Sequence, residues 1–386
     1  MGPSTAAVHA GEPRGSGPLE APIVLSSAFA FESSEQAEGA FRGENDAYIY
    51  GRWGNPNVDL LERKVAALEG AEDAAAAASG MAAISGTLLS LLSSGDHVVA
   101  PRALYGETAR LLRERLPKLG ITTTFLDDPS PEAYRAALRP TTRVVYLETP
   151  SNPTLQVTDL AAVAAIARAH GATSVADNTF ATPYCQRPLE HGVDLVVHSM
   201  TKFLCGHGDA IAGAVAGRRA LVGAARDVMI KGYGGALSPF SAYLVARGIR
   251  TFALRMARAT STAASLARML AEHPQVSVVH HPSLLSHPGH AVAARQMTAP
   301  PAILSFEVRG GLEKARRVRE AVKVVTHAVS LGDTRSLIVH PASTTASTMP
   351  ADDRAKVGIV DSLLRLSVGI EDEADLVTDL RQALEA

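Results

Sequence analysis

At 386 residues the chain is too long for one simple core and suits about two or three packed regions. Apolar residues make up 46% and charged residues 20%, ordinary for a soluble globular protein, and the formal net charge of −2 argues against nucleic acid or an anionic membrane as main partner, since both call for a basic surface. No apolar run approaches the roughly 20 residues of a membrane span, and the Ala-rich stretches Ala74–Ala78 and Ala161–Ala169 are short or broken by Arg. Cys185 and Cys205 are too few for a disulfide framework, and Met1-Gly2-Pro3-Ser4 does not open a basic-then-apolar leader, so the expected home is the cytoplasm.

Residues 1–55 have little period and many Pro, Gly and Ser residues, which predicts an N-terminal arm packed on something else, the partner subunit being the candidate. From Gly95 short apolar runs alternate with helical patterns. The predicted strands are His97–Ala100, Ile121–Leu126, Arg143–Leu147, Ala172–Ala176, Asp194–His198 and Ile211–Val215. The clearest helix between them is Leu160–His170, with Gly171 just past its end as a stop. This alternation predicts a parallel, doubly wound α/β sheet over residues 56–242. Beyond about Tyr243 a helical stretch to His273, a strand at Ile303–Val308 and a closing helix Glu373–Leu384 predict a smaller C-terminal α+β domain over residues 243–386.

In an open parallel sheet, ligands bind beyond the carboxyl ends of the strands. Three of these ends are polar here: Glu148-Thr149-Pro150-Ser151-Asn152-Pro153, Asp177-Asn178-Thr179 and His198-Ser199-Met200-Thr201-Lys202. Singly, each reads as a helix cap or a solvated surface group. Together they supply what pyridoxal 5′-phosphate (PLP) chemistry needs. Lys202 can carry the cofactor as a Schiff base, with burial keeping its amine reactive. Asp177 can hold the pyridine nitrogen protonated. Ser199 and Thr201 offer hydroxyls to the phosphate, and the corner Ser79-Gly80-Met81 before the helical run Ala82–Leu92 offers a helix N-terminus. Tyr105 can stack on the ring.

These motifs, with His9-Ala10-Gly11, Tyr50-Gly51-Arg52-Trp53-Gly54-Asn55-Pro56, Tyr105-Gly106, Val329-Ser330-Leu331-Gly332, His340-Pro341-Ala342-Ser343 and Arg365-Leu366-Ser367-Val368-Gly369, give the chain a resemblance over nearly its whole length. It resembles the Cys/Met-metabolism family of fold-type I PLP enzymes. The resemblance implies a homodimer unit with shared active sites, built into a homotetramer, in which Tyr50 and Arg52 reach the phosphate of the neighbouring subunit's cofactor. It implies that Arg365 clamps the α-carboxylate of an amino-acid substrate as a bidentate pair, which a planar guanidinium suits. Ser330 and Glu148 are implied at the substrate, and Asn152 and Thr179 at the cofactor. Tyr105 becomes the general acid for a leaving sulfur.

Within the family, Thr182–Ser199, His170–Thr173, Gly206–Asp209 and Lys231 ahead of Leu237-Ser238-Pro239 resemble methionine γ-lyases most, whereas Ser336–Thr345 is equally like sulfhydrylases. The expectation is therefore γ-elimination on methionine, with γ-replacement on an acylated homoserine second and cystathionine cleavage third. Departures gather where the far end of a substrate would lie: Glu107 in place of Cys or Gly, Gly232 in place of Asp, Arg335 in place of Glu, and Thr344-Thr345-Ala346 in place of Met-Thr-His. Arg335 either repels the ammonium end of cystathionine or pairs with Glu107 or Asp333. Other features read as bland. His280, His281, His287 and His290 lie in a Pro- and Gly-rich loop with no carboxylate or thiolate to complete a metal site. Gly206-His207-Gly208 lacks a dinucleotide fingerprint, and Cys205 reads as packing. A cofactor-fold regulatory module would carry a basic or DNA-binding extension, which this sequence does not show.

Overall fold

Short apolar runs become strands β1 (Asp73–Ala77), β2 (His97–Pro101), β3 (Thr122–Leu126), β4 (Thr142–Glu148), β5 (Thr173–Asp177), β6 (Leu195–Ser199) and β7 (Gly213–Gly217) in a computed structural model that describes residues 1–12 and 18–386. Residues 13–17 of the expected arm lie outside the described residues. The strands lie side by side in the order β1-β7-β6-β5-β4-β2-β3. The ladders β2–β3, β2–β4, β4–β5 and β5–β6 are parallel, as expected. β7 departs from the expectation and runs antiparallel to both β6 and β1. The reason is its connection. A parallel return needs a crossover, usually a helix, and the segment between β6 and β7 is a series of turns.

Helices cover both faces, so apolar side chains alternate from one buried layer to the other: Val144 and Tyr146 in one, Val145 and Leu147 in the other. That is why β4 reads as an unbroken apolar run. β1 was not expected, because its sequence is Asp followed by four alanines and Ala disfavours strands. Complete burial between layers overrides that preference. The predicted helix Leu160–His170 forms with those limits, capped by Asp159 (Ala162 N–H to Oδ1, 3.0 Å) and stopped at Gly171 in the left-handed region (φ 80°).

The expected single helix over Tyr243–His273 is two, Pro239–Ile249 and Phe252–Ala271. At the break the buried Arg255 donates to the carbonyls of Gly248 (2.8 Å) and Phe203 (2.8 Å), pinning the corner to the turn that follows Lys202. Beyond it a second sheet holds β8 (Val276–His280), β9 (Ile303–Val308), β10 (Thr326–His327), β11 (Leu337–Val339) and β12 (Leu363–Ser367) in the order β10-β11-β12-β9-β8. The helices Gly311–Ala321 and Glu373–Glu385 bury its apolar face. The N-terminal stretch is more regular than expected, with helices at Pro3–His9 and Ser34–Arg42. Among the described residues no helix is long and apolar enough to cross a membrane.

Candidate active site

The parallel ladder sets the site. Glu148 and Asp177 end β4 and β5 as direct register partners, so their carboxylates project to the same side. Next along, Ser199 ends β6, and the turn beyond it carries Lys202. The helix Gly80–Leu91 begins beside Ser199, capped by Ser79, whose Oγ accepts from Ala82 N–H at 3.1 Å. A Cβ on Gly80 would stand 2.7 Å from Ser199 Cβ, so only glycine lets the helix start this close. The first-turn N–H groups of Gly80 and Met81, which no helix can satisfy internally, are available there to an anion.

The second sheet brings the other half. Lys202 Nζ donates to Ser330 Oγ at 2.7 Å, across 128 positions of sequence. Arg365, on β12 and 3% exposed, donates from Nη1 to Asn152 Oδ1 (2.9 Å) and from Nη2 to Ser330 O (2.8 Å). Ser330 thus bridges the lysine and the arginine, and it does so in the left-handed region (φ 86°), a conformation costing a non-glycine residue on the order of 1–2 kcal/mol. Gly332 makes the approach possible. Its φ is 76°, and a Cβ there would lie 2.4 Å from Phe203 N.

Charge and burial set the proton positions. Burial, then the Arg365 guanidinium, pulls the Lys202 amine down to about 8. Burial lowers Arg365 to about 10, and no carboxylate touches it; its Nε is buried without a partner. Burial, then the neighbouring Asp177, pushes Glu148 up to about 8. Burial also raises Asp177, opposed by hydrogen bonds from Thr179, whose N–H donates to Oδ1 at 3.0 Å. The Tyr105 phenol is raised by burial and then by Glu107, Glu148 and Asp177, which keeps its proton on at neutral pH.

Most of the expected residues therefore converge: Lys202, Asp177, Ser199, Ser79, Gly80, Met81, Tyr105, Asn152, Glu148, Ser330 and Arg365. Thr201, Thr179 and, within the cluster, Glu148 have their polar atoms engaged by the protein itself. The Thr201 hydroxyl donates to Ala212 O (3.2 Å) and accepts from Ala212 N–H (3.1 Å), tying the Lys202 turn to the start of β7. Thr179 Oγ1 accepts from Ser199 N–H at 2.9 Å and so spaces β5 from β6. Glu148 accepts from the backbone N–H groups of Tyr105 (2.8 Å) and Asn152 (3.1 Å). Tyr50 and Arg52 lie apart from this cluster. Tyr50 is exposed, and the Arg52 guanidinium, 5.4 Å from its ring, donates to Lys231 O at 2.6 Å. Arg335 pairs with Asp333 (3.2 Å), the second of the two alternatives.

Sequence reasoning left a buried network behind Asp177 unassigned. Glu69 Oε1 meets His198 Nε2 (2.5 Å) and accepts from Asn178 Nδ2 (2.9 Å), and Gln186 Nε2 bonds Asn178 Oδ1 (3.1 Å). His198 and Asn178 stand in the quoted motifs, but Glu69 ends a distant helix, Pro56–Glu69, and nothing local marks it.

A half-buried lysine, a pair of carboxylates at neighbouring strand ends and an open helix N-terminus define a lysine-anchored PLP enzyme of fold type I. The chain matches the sequence profile of the Cys/Met metabolism PLP-dependent enzymes over residues 4–385. It is 46% identical to the L-methionine gamma-lyase of Fusobacterium nucleatum over 387 residues, covering 100% of this chain and 98% of that protein. To the L-methionine gamma-lyase of Pseudomonas putida it is 46% identical over 386 residues, covering 99% and 97%. Among solved structures, a putative O-acetylhomoserine (thiol)-lyase of Campylobacter jejuni carrying N′-pyridoxyl-lysine-5′-monophosphate superposes with a TM-score of 0.95 at 31% identity, covering 100% of both chains. The chain belongs to the Cys/Met-metabolism family of PLP-dependent enzymes, and its cofactor is PLP. The residues present fit that group. Asp177 and Glu148 lack any cation in contact, the Gly80–Ser199 approach leaves a cradle that a Cβ would fill, and the Lys202 amine is held partly deprotonated.

Proposed function

We infer that the protein is a methionine γ-lyase, which with water converts methionine to methanethiol, 2-oxobutyrate and ammonia. The observation that carries the reading is the Lys202–Ser330–Arg365 bridge, in a chain this similar from end to end to methionine γ-lyases. PLP, when bound, supplies an electron sink next to the reacting carbon. Lys202 would anchor it, Asp177 would hold its ring nitrogen, and Ser199 with the N–H groups of Gly80 and Met81 would hold its phosphate. Arg365 binds the substrate α-carboxylate, its missing counter-charge, and so orients the Cα hydrogen. The Lys202 amine takes the Cα proton and then moves a proton from Cβ. Tyr105, its phenol kept protonated, gives a proton to the departing sulfur.

In the same reading the chain divides into an arm (1–55), a cofactor domain (56–242) and a C-terminal domain (243–386), supported by the separate sheets built from β1–β7 and β8–β12. The working unit is a homodimer within a homotetramer, in which Tyr50 and Arg52 serve the neighbour's phosphate. The support is the exposure of Tyr50, with the half-buried Arg52 beside it, and the lack of any hydrogen bond from either to the Lys202 cluster of their own chain. A cytoplasmic setting accords with two free, buried cysteines.

The second reading, γ-replacement on an O-acylhomoserine, rests on the stretch Ser336–Thr345, which is equally like sulfhydrylases. Product identification from the PLP-loaded protein given methionine, cystathionine, or O-acetylhomoserine with sulfide separates the readings. Methanethiol and 2-oxobutyrate from methionine are expected. Homocysteine from the acetyl ester and sulfide, with methionine untouched, would replace the first reading by the second.

A further inference from the structure

Glu148 is a carboxylate at the mouth of the site with no place in the chemistry above. It is buried, and each oxygen has its own backbone donor: Oε2 accepts from Tyr105 N–H (2.8 Å) and Oε1 from Asn152 N–H (3.1 Å). Tyr105 carries the acid phenol. Asn152 holds Arg365 through its amide oxygen at 2.9 Å. We propose that Glu148 is a positioning residue that fastens the proton-donating Tyr105 and the carboxylate clamp Asn152–Arg365 into one unit, without itself touching substrate. The inference rests on the γ-lyase reading for Tyr105's role but not for Arg365's.

Two N–H donors, one on each oxygen, suit the ionised form best. A carboxylate can accept both N–H groups, whereas a carboxamide can present oxygen to only one and turns a second donor against the other. The groups facing Glu148 are Asp177 beside it on β5, the phenols of Tyr146 and Tyr105, and Arg365 behind Asn152, with Lys202 in the same cluster, while Glu107 also faces the Tyr105 phenol. Burial first and Asp177 second push a proton onto Glu148. A cation held at Asp177, such as a protonated ring nitrogen, relieves the second of these and shifts Glu148 toward the accepting form. Glu148 also helps hold the Tyr105 proton in place, because a negative charge nearby disfavours the phenolate.

The test compares PLP-loaded wild type, Glu148→Gln, Tyr105→Phe and the double variant. The visible cofactor band should persist in Glu148→Gln, since Lys202 and Asp177 are untouched. Affinity for L-alanine, read as a shift of that band, should weaken by roughly 3- to 30-fold, because Asn152 no longer fixes Arg365. This arm needs no turnover, so it still reads if methionine proves not to be the substrate. The alkaline limb of kcat should move to lower pH as the phenol loses a neighbouring charge. In the Tyr105→Phe background the same change should cost little further kcat. Unchanged alanine affinity together with an unmoved alkaline limb, in a variant that is merely less heat-stable, would make Glu148 a plain packing group and overturn the proposal.

Discussion

Arg365→Lys gives the sharpest test of how the site holds its substrate. The guanidinium is almost wholly buried, its hydrogen bonds go to two neutral oxygens, Asn152 Oδ1 and Ser330 O, and its Nε has no partner. Burial draws it well below the usual guanidinium range, to about 10, which at 1.36 kcal/mol per pH unit is about 3 kcal/mol of penalty on the charge. A carboxylate arriving in contact offsets that penalty, so the arginine is poised for an anion before one binds. Lysine keeps the charge but loses the planar fork. Losing one charge-assisted hydrogen bond costs about 1.5–3 kcal/mol, or roughly 10- to 150-fold in affinity. The assay follows the cofactor band of the PLP-loaded protein while titrating methionine and 3-(methylthio)propylamine, which lacks only the carboxylate. The variant should weaken methionine by that factor and leave the amine nearly unchanged. Equal losses for both ligands would refute the clamp and make Arg365 a structural cation.

Borohydride reduction of the PLP-loaded protein, followed by peptide mass spectrometry, should place the pyridoxyl group on Lys202; an adduct on another lysine overturns the assignment. In the cofactor-free protein the depressed Lys202 amine binds fewer protons folded than unfolded between about 8 and 10.5, so its burial penalty is full below pH 8 and fades as pH rises. Denaturant melts of Lys202→Met and wild type should therefore show a gap of about 1–2 kcal/mol in favour of the variant at pH 7, allowing for partial exposure, narrowing by pH 10; a gap independent of pH contradicts the shift. Mixing inactive Arg52→Ala with inactive Lys202→Ala subunits should restore some activity through hybrid sites, and none after proven subunit exchange would end the shared-site idea. Because Arg335 is exposed and paired with Asp333, Arg335→Ala should change the ratio of kcat/KM for methionine and cystathionine by less than about fivefold; a larger change returns Arg335 to substrate selection.

The parts legible in the sequence are those whose causes are local. The helix Leu160–His170 carries its own cap and stop at Asp159 and Gly171, and β9 at Ile303–Val308 fills its predicted span. The cofactor half of the site was also local, because Lys202, Ser199 and Asp177 sit within turns at the ends of adjacent parallel strands. What was not legible depends on contacts distant in sequence or on competition between equals. An apolar pentapeptide does not reveal the sense of its ladder, so β7 was given the majority direction. The alanines of β1 show their strand only through the layers around them. Glu69 meets His198 across 129 positions, with no motif at its own end to signal it. Arg335 had charged neighbours on either side of the question, and a two-residue spacing to Asp333 outside any helix does not say which contact forms.

The same division explains why the family could be read earlier than the reaction. Groups that hold the cofactor come from the strand ends of the first sheet and keep their places by register and by Gly80. Groups that grip the substrate come from the second sheet, through Ser330 and Arg365, and meet Lys202 only because Gly332 and Arg255 press two distant segments against its turn. Chemistry common to the family thus rests on the local half. The second half, with Glu107 and Thr344-Thr345-Ala346 beside it, is where this sequence departs from the lyase pattern. Gly106 faces Thr345 O, which would lie 3.8 Å from a Cβ there, so the loop at 344–346 stands directly over the Tyr105–Glu107 corner. Two segments that differ from the lyase pattern are therefore one structural unit. Exchanging residues 344–346 should therefore be felt at the Gly106 backbone next to Tyr105.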